Sequence, residues 1–506
     1  MNVIELQNVN YARPGMNHPL QDIQLTVRQG ELVHLKGDNS AGKSTLIDFI
    51  LGIREPDSGE VKVFGYPPGE LKSRFLIGVV PQKLNSPIKN AQLGRLIDLI
   101  ESHYPESKGK INSILGYFEV KLSRDKKDFA GGEERLLFFA LAQAGSPKLL
   151  IVDEPTTFLA SIETPDRVSK QTKLWQQLQK FVAEGNTVLL VCHDEKIGVT
   201  PTRTLLLENG RLNGTSENEE SSSETVESGL IDFKEVGVSH WIYLLFKHVC
   251  FNIQQTFQAD QKYIWLTFIA SFLWAICISF AAKMGSSEDS SSLYTIANAY
   301  SFYLTMSAAN STGNIIAEER QNEILTRLLK ILPLPPIIYL SAKVIASWLI
   351  TSFLVLTMLV TTLICNVISP SIFLSLSETL ILGIIPYLFL GLALGYLFEK
   401  PKSIQIAALM SSLILTIPIF ARPVLQAIEI VLKIPGKLNV AALIGDNLAA
   451  HSPIYHYIQL ILSSGKAPEF DQYFWLHIVW LIWFTLISIL IALWAYWRTS
   501  NKEAKA

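Results

Sequence analysis

The sequence predicts an α/β domain followed by an all-α membrane domain of six helices. Hydrophobic residues make up 49% of the 506 residues and charged residues only 17%, which in so long a chain indicates membrane embedding. Charged residues are interspersed throughout residues 1–208, whereas long uncharged stretches follow one another beyond residue 263. In the first part, short β-rich runs alternate with helical runs, a pattern typical of a largely parallel sheet covered by helices.

The charge balance and the cysteine spacing exclude several classes of protein. The formal net charge is −2, and no Lys/Arg cluster with interleaved aromatic residues is present, so nucleic acid is not an expected partner. The N-terminus has no basic segment followed by an apolar one, so we expect no cleavable signal peptide and an N-terminal domain that stays inside the cell. Neither disulfides nor a zinc site are predicted from the spacing of Cys192, Cys250, Cys277 and Cys365.

Composition divides the chain into three segments. Residues 1–212 form the α/β domain. Residues 213–235 are polar, acidic and Ser-rich, and they predict a flexible linker because they cannot bury enough apolar surface to fold. Residues 236–506 form the membrane domain. It begins with residues 239–263, whose mixture of aromatic, Lys, His and Gln residues predicts an amphipathic helix in the membrane interface; a plain buried helix is the alternative.

Six uncharged stretches approach or exceed the roughly 20 residues that a helix needs to cross about 30 Å of hydrocarbon. An even number of spans returns the C-terminus to the side of the α/β domain, and Lys and Arg concentrate in the short loops of that side. We therefore expect an integral protein of the cell inner membrane with its nucleotide-binding domain and C-terminus cytoplasmic; a globular protein with buried helices is the alternative. The predicted spans are residues 264–282, 293–317, 344–368, 379–398, 403–421 and 474–497.

A phosphate-binding loop is predicted in the segment GDNSAGKST, residues 37–45. The segment matches the pattern G-x-x-x-x-G-K-[ST] and lies between a β-rich run and a helical run, as such a loop requires. Lys43 is expected to reach the β and γ phosphates of ATP, and Ser44 is expected to hold Mg²⁺. The ATP-binding residues predicted here are Gly37, Asn39, Ser40, Ala41, Gly42, Lys43, Ser44 and Thr45.

Two acidic residues follow an apolar strand in LLIVDEP, residues 149–155. Asp153, at the strand end, suits Mg²⁺, and Glu154 can polarise an attacking water. Phosphoryl transfer needs this combination of a metal clamp, a cation and a water-positioning base. Taken alone, the two acids would more often mark the start of a helix. Together with the phosphate loop, they predict an α/β P-loop ATPase domain.

These segments resemble the nucleotide-binding domain of the ABC transporter superfamily over nearly all of residues 1–208. The resemblance implies that Tyr11 stacks on the adenine, that Gln82 senses Mg²⁺ and the permease, and that His193 is the switch histidine near the γ phosphate. The alternatives are a core tyrosine, a surface glutamine and a strand-end histidine. The resemblance also implies a signature turn, which contacts ATP held by a second subunit, at Ala130, Gly131, Gly132 and Glu133.

Two positions depart from the pattern of that family. Ala130 replaces the usual serine of the signature turn, and Ala160 replaces an aspartate that usually ends the loop after the catalytic base. Loss of a full-strength oxyanion-type donor lowers turnover about 10²- to 10³-fold, which is an upper bound here because other groups share the charge. We therefore expect an active but slow ATPase, with a site that does not hydrolyse ATP as the alternative.

Residues 240–500 resemble, more loosely, the permease of the ABC type-two exporter family. The main similarity is EERQNEILTRLLKILPLPPIIYLSAK, residues 318–343, in which an acidic helix leads to a Leu-Pro turn and a lysine before the next span. The domain order is that of G-subfamily half-transporters. The resemblance implies an ATP-driven exporter that alternates its access and needs a second half-transporter chain. A homodimer is favoured; a heterodimer remains open.

The expected cargo follows from the spans, which are aromatic and aliphatic and carry no charge within the membrane. Such spans are expected to contact membrane lipid. They also favour a small apolar or amphipathic substrate, such as a lipid, a lipophilic natural product or a modified peptide. A different class of function stays open. An ATP-binding membrane protein that regulates or scaffolds without transport is the alternative suggested by Ala130 and Ala160.

Overall fold

The computed structural model contains two compact units. The first comprises Met1–Lys247, Asn322–Ile338 and Asn501–Ala506, and the second comprises His248–Gln321 and Tyr339–Ser500. The structure describes residues 1–12, 19–38, 40–81, 90–104, 109–120, 133–155, 164–192, 197–215, 237–259, 261–284, 289–321, 329, 332–398, 400–415, 452–464 and 474–505.

The strands described in the first unit form two sheets. A three-stranded antiparallel sheet has the order β2-β1-β4, and a six-stranded sheet has the order β5-β6-β7-β3-β8-β9. Within the larger sheet, neighbouring strands are parallel except for β8 and β9. The strands are β1 (Asn2–Tyr11), β2 (Leu20–Arg28), β3 (Leu32–Gly37), β4 (Ser58–Val63), β5 (Ile77–Val80), β6 (Leu149–Asp153), β7 (Thr187–Val191), β8 (Arg203–Glu208) and β9 (Arg211–Thr215).

Helices lie between these strands along the chain, as the α/β prediction requires. All residues of β5, β6 and β7 are buried, which explains why their sequences are continuous apolar runs rather than alternating ones. The α/β fold class is therefore confirmed. The helices of this part are α1 (Lys43–Ile50), α2 (Leu71–Arg74), α3 (Asn90–His103), α4 (Lys110–Tyr117), α5 (Glu133–Ala142) and α6 (Thr164–Ala183).

The last hairpin of the first unit extends beyond the domain boundary predicted at residue 212. Strand β9 continues to Thr215, which pairs with Thr204. The turn between the strands is Asn209-Gly210, and both residues have positive φ angles, 52° and 76°. Asn-Gly is the preferred sequence for such a tight hairpin turn. The α/β domain therefore ends later than composition alone indicated, because the polar strand β9 resembles the linker that follows it.

The remaining helices overlap the residues that the sequence predicts as an interfacial helix and as spans. The predicted helix at residues 239–263 appears as α7, which ends earlier, at Ala259. On α7, His248 and Asn252 are buried whereas Ile242 and Phe246 are exposed. These helices are α7 (Val238–Ala259), α8 (Gln261–Met284), α9 (Asp289–Gln321), α10 (Pro336–Ile364), α11 (Pro370–Gly383), α12 (Ile385–Leu397), α13 (Pro401–Leu415), α14 (Pro453–Ser464) and α15 (Phe474–Lys505).

Three helical stretches of the described residues are long and apolar enough to cross a membrane: Pro336–Ile364, Pro370–Leu397 and Phe474–Ser500. Thr267–Lys283 and Pro401–Leu415 are shorter apolar helices. The six-span arrangement itself stays a prediction. The fourth predicted span, residues 379–398, overlaps a helical stretch that already starts at Pro370. Proline is well tolerated in the first turn of a helix, where its missing N–H is not needed.

Small residues bring α9 and α12 close together inside the second unit. A Cβ atom added at Gly391 would lie 2.2 Å from the carbonyl oxygen of Ala309, and one added at Gly395 would lie 2.9 Å from that of Gly313. No side chain fits at such distances. This spacing of small residues lets the two backbones touch, as is typical of membrane helix pairs.

Candidate nucleotide site

The predicted phosphate loop connects the end of β3 to the start of α1. Ser40 and Gly42 have positive φ angles of 72° and 104°, which give the loop its tight curvature. A Cβ atom at Gly37 would lie 2.4 Å from the carbonyl oxygen of Leu207 on the neighbouring strand β8. The first glycine of the motif is therefore required by a backbone contact within the sheet, and this contact fixes where the loop begins.

Lys43 is the first residue of α1 and is only 7% exposed. Its Nζ atom donates hydrogen bonds to the carbonyl oxygens of Gly37 at 2.6 Å and Asp38 at 3.0 Å, which holds the ammonium across the loop. Burial lowers the pKa of Lys43, and the nearby carboxylates of Glu154 and Asp153 oppose that shift. A phosphate bound in the loop would therefore meet a partly desolvated cation.

Asp153 and Glu154 lie at the end of β6 and face the same site as Lys43. They are 9% and 5% exposed. The backbone N–H of Glu154 donates to the carbonyl oxygen of Val191 on β7 at 2.6 Å. Glu154 has a φ of 50°, a left-handed conformation that non-glycine residues seldom adopt. The contact with β7 thus holds the proposed base in a strained backbone position, as is common at active sites.

The strand order explains why these residues meet. Leu35 of β3 and Asp153 of β6 are both in register with Val191 of β7, so the carboxyl ends of the three parallel strands lie at one edge of the sheet. Ligands of open α/β sheets bind at this edge. The phosphate loop and the two acids, far apart in sequence, are thereby brought to one site.

The donors at this edge fit a magnesium ion bound together with a nucleotide. Ser44, next to Lys43, is exposed, whereas Asp153 is largely buried. A hydroxyl, a carboxylate and phosphate oxygens are the ligands that Mg²⁺ takes in nucleotide sites. When bound, the ion would neutralise charge that develops on the phosphates.

The structure places the other predicted residues as follows. Ala41 is buried, and its N–H donates to the carbonyl oxygen of Asp38 at 3.1 Å. Thr45 is half-buried in α1, and Glu133 begins α5. The roles proposed for the remaining residues stay predictions, because the following positions lie outside the described residues: Asn39, Gln82, Ala130, Gly131, Gly132, Ala160 and His193.

Tyr11 is placed in the core of the first unit. It is 4% exposed, its ring packs edge-to-face on Phe49 at 5.3 Å between centroids, and its hydroxyl accepts a hydrogen bond of 2.6 Å from Arg54. A side chain so enclosed offers little ring surface to an adenine. Stacking on the adenine stays a prediction for Tyr11, and the burial favours the alternative of a core tyrosine.

His34, which belongs to none of the sequence motifs, supports the strand that leads to His193. His34 lies in β3, is 1% exposed, and its Nε2 atom lies 3.2 Å from the carbonyl oxygen of Cys192. Burial lowers the pKa of this imidazole. The neutral ring can donate its Nε2–H to Cys192, directly before the predicted switch histidine. A polar residue inside the apolar run ELVHLKG was the only signal in the sequence.

We expect His34 to make the stability of the chain depend on pH. Because its folded pKa is lowered, the unfolded chain takes up the proton first, and stability falls as the pH drops below about 6.5. His34→Gln keeps a donor but removes the titration. Thermal unfolding of the full chain in nanodiscs at about pH 7.5 and pH 5.5 should show a smaller acid-induced decrease for this variant. An equal decrease in both proteins would contradict the prediction.

A small apolar cavity in the first unit receives a side chain from the segment between α9 and α10. The cavity has a volume of about 40 Å³, and Leu332 lines it together with Phe75, Tyr104 and Pro147. Leu332 is 6% exposed. The Leu-Pro turn that the sequence singled out thus contributes a buried contact to the α/β unit, which the sequence could not show.

The chain is similar to known families and proteins. The family "ABC transporter" matches residues 20–157, and the family "ABC-2 family transporter protein" matches residues 251–494. A Nod factor export ATP-binding protein I of Rhizobium meliloti is 35% identical over 183 residues, 34% of this chain and 52% of that protein. The zinc uptake system ATP-binding protein ZurA of Listeria monocytogenes is 30% identical over 205 residues, 38% of this chain and 77% of that protein.

The chain spans about half the length of the first curated relatives it matches. Solved structures were also similar. A dimeric bacterial ABC transporter cassette is 23% identical, with a TM-score of 0.36, covering 42% of this chain and 100% of the other. An ATP-binding cassette with ADP and Pi is 22% identical, with the same TM-score and the same coverage. With its phosphate loop, its paired acids and both family matches, the chain belongs to the ABC transporter superfamily, as a nucleotide-binding domain fused to an ABC-2 membrane domain.

Proposed function

We propose that this chain is an ATP-driven exporter subunit that moves an apolar or amphipathic substrate out of the cytoplasm. The observation that carries the proposal is the convergence of Lys43, Asp153 and Glu154 at one sheet edge, in a chain that also contains an ABC-2 membrane domain. A nucleotide site alone would fit many ATPases. Its fusion to this membrane domain makes transport the work to which hydrolysis is coupled.

The proposed steps of hydrolysis use the residues at this edge of the sheet together with two predicted residues. Lys43 would neutralise the β and γ phosphates, and Asp153 and Ser44 would hold Mg²⁺ when it is bound. Glu154, fixed by its backbone bond to β7, orients the attacking water and accepts its proton. Gln82 and His193 complete the proposed catalytic set near the γ phosphate. The protein contributes mainly positioning and charge, which is where phosphoryl-transfer enzymes obtain most of their rate enhancement.

The contact of Leu332 supports transmission from the nucleotide unit toward the membrane domain. Leu332 is buried in the α/β unit, and α10 begins shortly after it, at Pro336. Movement of the α/β unit during ATP binding would therefore be carried into α10 through a short connection.

A second chain completes the proposed site. The signature turn at Ala130–Gly132 would contact ATP held by a partner, so that one chain cannot close its own site. We favour a homodimer, in which both sites lack the serine hydroxyl at position 130. A heterodimer, whose partner supplies a full signature turn, is the second arrangement to test.

The direction of transport and the cargo are supported less directly. One group of relatives is named for export of Nod factor and another for zinc uptake, so the ATP-binding part does not decide the direction. Export from a cell inner membrane is favoured by the resemblance to type-two exporter permeases. An apolar or amphipathic cargo is favoured because no Asp, Glu, Lys or Arg falls within the predicted spans.

ATP hydrolysis by the full chain in lipid nanodiscs tests this proposal. We expect basal turnover above that of a Glu154→Gln control, and stimulation by at least one compound in a panel of lipids, lipophilic natural products and modified peptides. Basal turnover equal to the control would contradict a self-sufficient homodimer. Turnover that no panel member stimulates would favour the regulatory or scaffold role instead.

Restoring a serine at position 130 is expected to speed hydrolysis. Ala130→Ser adds one hydroxyl donor to the signature turn, and we expect turnover to rise by up to about 10²-fold. Phosphate release by both proteins in nanodiscs measures the change. Ala130→Val adds volume without a donor and serves as the matched control. If the serine variant is no faster than the parent, the missing hydroxyl does not limit turnover.

A further inference from the structure

A buried ion pair joins α9 and α10 within the second unit. The Nζ atom of Lys343 donates a hydrogen bond to Oε2 of Glu319, and the two residues are 1% and 4% exposed. The hydroxyl of Tyr339 donates to the other carboxylate oxygen, Oε1. The Lys343 ammonium also lies 4.6 Å from the centroid of the Tyr339 ring, within cation–π range. We call these three residues the stem cluster.

The stem cluster lies where the chain leaves and re-enters the second unit. Glu319 is near the end of α9, and Tyr339 and Lys343 are in the first turns of α10. The segment between them, Asn322–Ile338, belongs to the first unit and contains Leu332. The two residues of the ion pair therefore lie in sequence on either side of a segment whose residue Leu332 lines the cavity of the α/β unit.

Further hydrogen bonds connect the end of α9 to the ends of two other helices of the second unit. Arg320, next to Glu319, donates to the carbonyl oxygens of Gly395 at 3.3 Å and Tyr396 at 3.0 Å, at the end of α12. Thr499 of α15 donates to the same Tyr396 carbonyl at 3.0 Å. The ends of α9, α10, α12 and α15 are thus tied into one junction.

Stability alone does not account for a buried ion pair. Removing two charges from water is costly, and well-packed apolar residues of similar volume are often as stable or more stable. What a buried pair with fixed geometry does supply is a defined relative position of the two helices that carry it. Here the two helices whose relative position is fixed lie in sequence on either side of the segment Asn322–Ile338, which belongs to the first unit.

We propose that the Glu319–Lys343 pair is a positioning element that makes α9 and α10 respond together when ATP moves the segment Asn322–Ile338. This inference rests on the proposed coupling of hydrolysis to transport. Without the pair, displacement of this segment makes α9 and α10 slide against each other instead of moving together. Tyr339 keeps the Glu319 carboxylate oriented by donating a hydrogen bond to Oε1. The Lys343 ammonium then has Oε2 as a fixed acceptor.

Hydrogen–deuterium exchange of the full chain in nanodiscs tests this inference. All proteins carry Glu154→Gln, so that ATP with Mg²⁺ is retained. The parent is compared with Glu319→Gln/Lys343→Met, which removes both charges and leaves neither one buried without its partner. A charge-swapped variant, Glu319→Lys/Lys343→Glu, restores the pair, and Lys402→Met, an exposed lysine in α13, is the matched control.

In the parent, we expect ATP to change the rate of hydrogen–deuterium exchange both in the phosphate loop and in α9 and α10. The double variant should keep the loop response but lose at least about two thirds of the α9 and α10 response, while the swapped variant recovers at least half of it. A full response in the double variant would overturn the inference and leave the proposed function intact. A parent that responds in the loop alone would instead contradict coupling itself, and the inference with it.

Loss of folding is distinguished from loss of coupling by the exchange measured without ATP. Unchanged exchange of α9 and α10 in the nucleotide-free double variant shows that both helices are formed. If they are not, the swapped variant decides the question: a pair that acts in positioning restores the ATP response, and a folded swapped variant without that response overturns the inference.

Discussion

Glu154→Gln is expected to lower ATP turnover of the full chain by about 10²- to 10⁴-fold, the range that a positioned general base contributes. Glutamine has the same shape as glutamate, so β6, the Lys43 site and the backbone bond to Val191 should persist. Its amide cannot accept the proton of the attacking water. Steady-state phosphate release in nanodiscs measures the loss, and binding of a fluorescent ATP analogue should remain close to that of the parent.

Glu208→Gln is the matched control for this substitution. Glu208 also ends a strand, β8, but it is exposed. Its replacement should leave turnover within about twofold, as for most surface substitutions. Turnover of Glu154→Gln above a tenth of the parent value would show that another group positions the water, and would move the assignment of the base away from β6.

Lys43→Met is expected to reduce both nucleotide binding and turnover, the latter by about 10²- to 10³-fold. The substitution retains the length of the side chain but removes the cation that is aimed across the phosphate loop. It also removes an ammonium that interacts electrostatically with Asp153 and Glu154. The analogue-binding and phosphate-release assays measure the two effects separately.

Lys62→Met serves as the matched control for the loss of a lysine. Lys62 lies in β4 and pairs with the exposed Glu60 at 2.7 Å, a surface contact that contributes little to stability. We expect its nucleotide binding and turnover to match those of the parent. Unchanged nucleotide binding in Lys43→Met would show that the ammonium does not contact phosphate, and that the loop acts through its backbone N–H groups alone.

The local parts of the nucleotide site were predictable from the sequence. The loop from Gly37 to Thr45 and the acids after β6 are each specified by a short contiguous pattern and by the strand that precedes it. The insertion of β7 between β3 and β6 was not predictable from any one segment. That strand order depends on long-range pairing, and it brings Val191 and Cys192 into contact with Glu154 and His34.

Two side chains have surroundings that their own segments do not indicate. Lys343 lies directly before the predicted third span, yet it is almost fully buried, because it lies within α10, which begins at Pro336, and donates to Glu319. Stacking on the adenine stays a prediction for Tyr11, whose ring packs on Phe49 and whose hydroxyl accepts a hydrogen bond from Arg54. Hydropathy and motif matching treat each residue within its own segment, whereas these contacts join separate segments.

The ion pair between Glu319 and Lys343 has a consequence for how the membrane domain is made. Glu319 precedes its partner by 24 residues, so the ribosome delivers the carboxylate before the lysine. Burying either charge alone is costly, and Lys343 is not available to Glu319 until α10 has been synthesised. The pair can therefore form only when both helices are present, so the docking of α10 on α9 is a step that follows the synthesis of both.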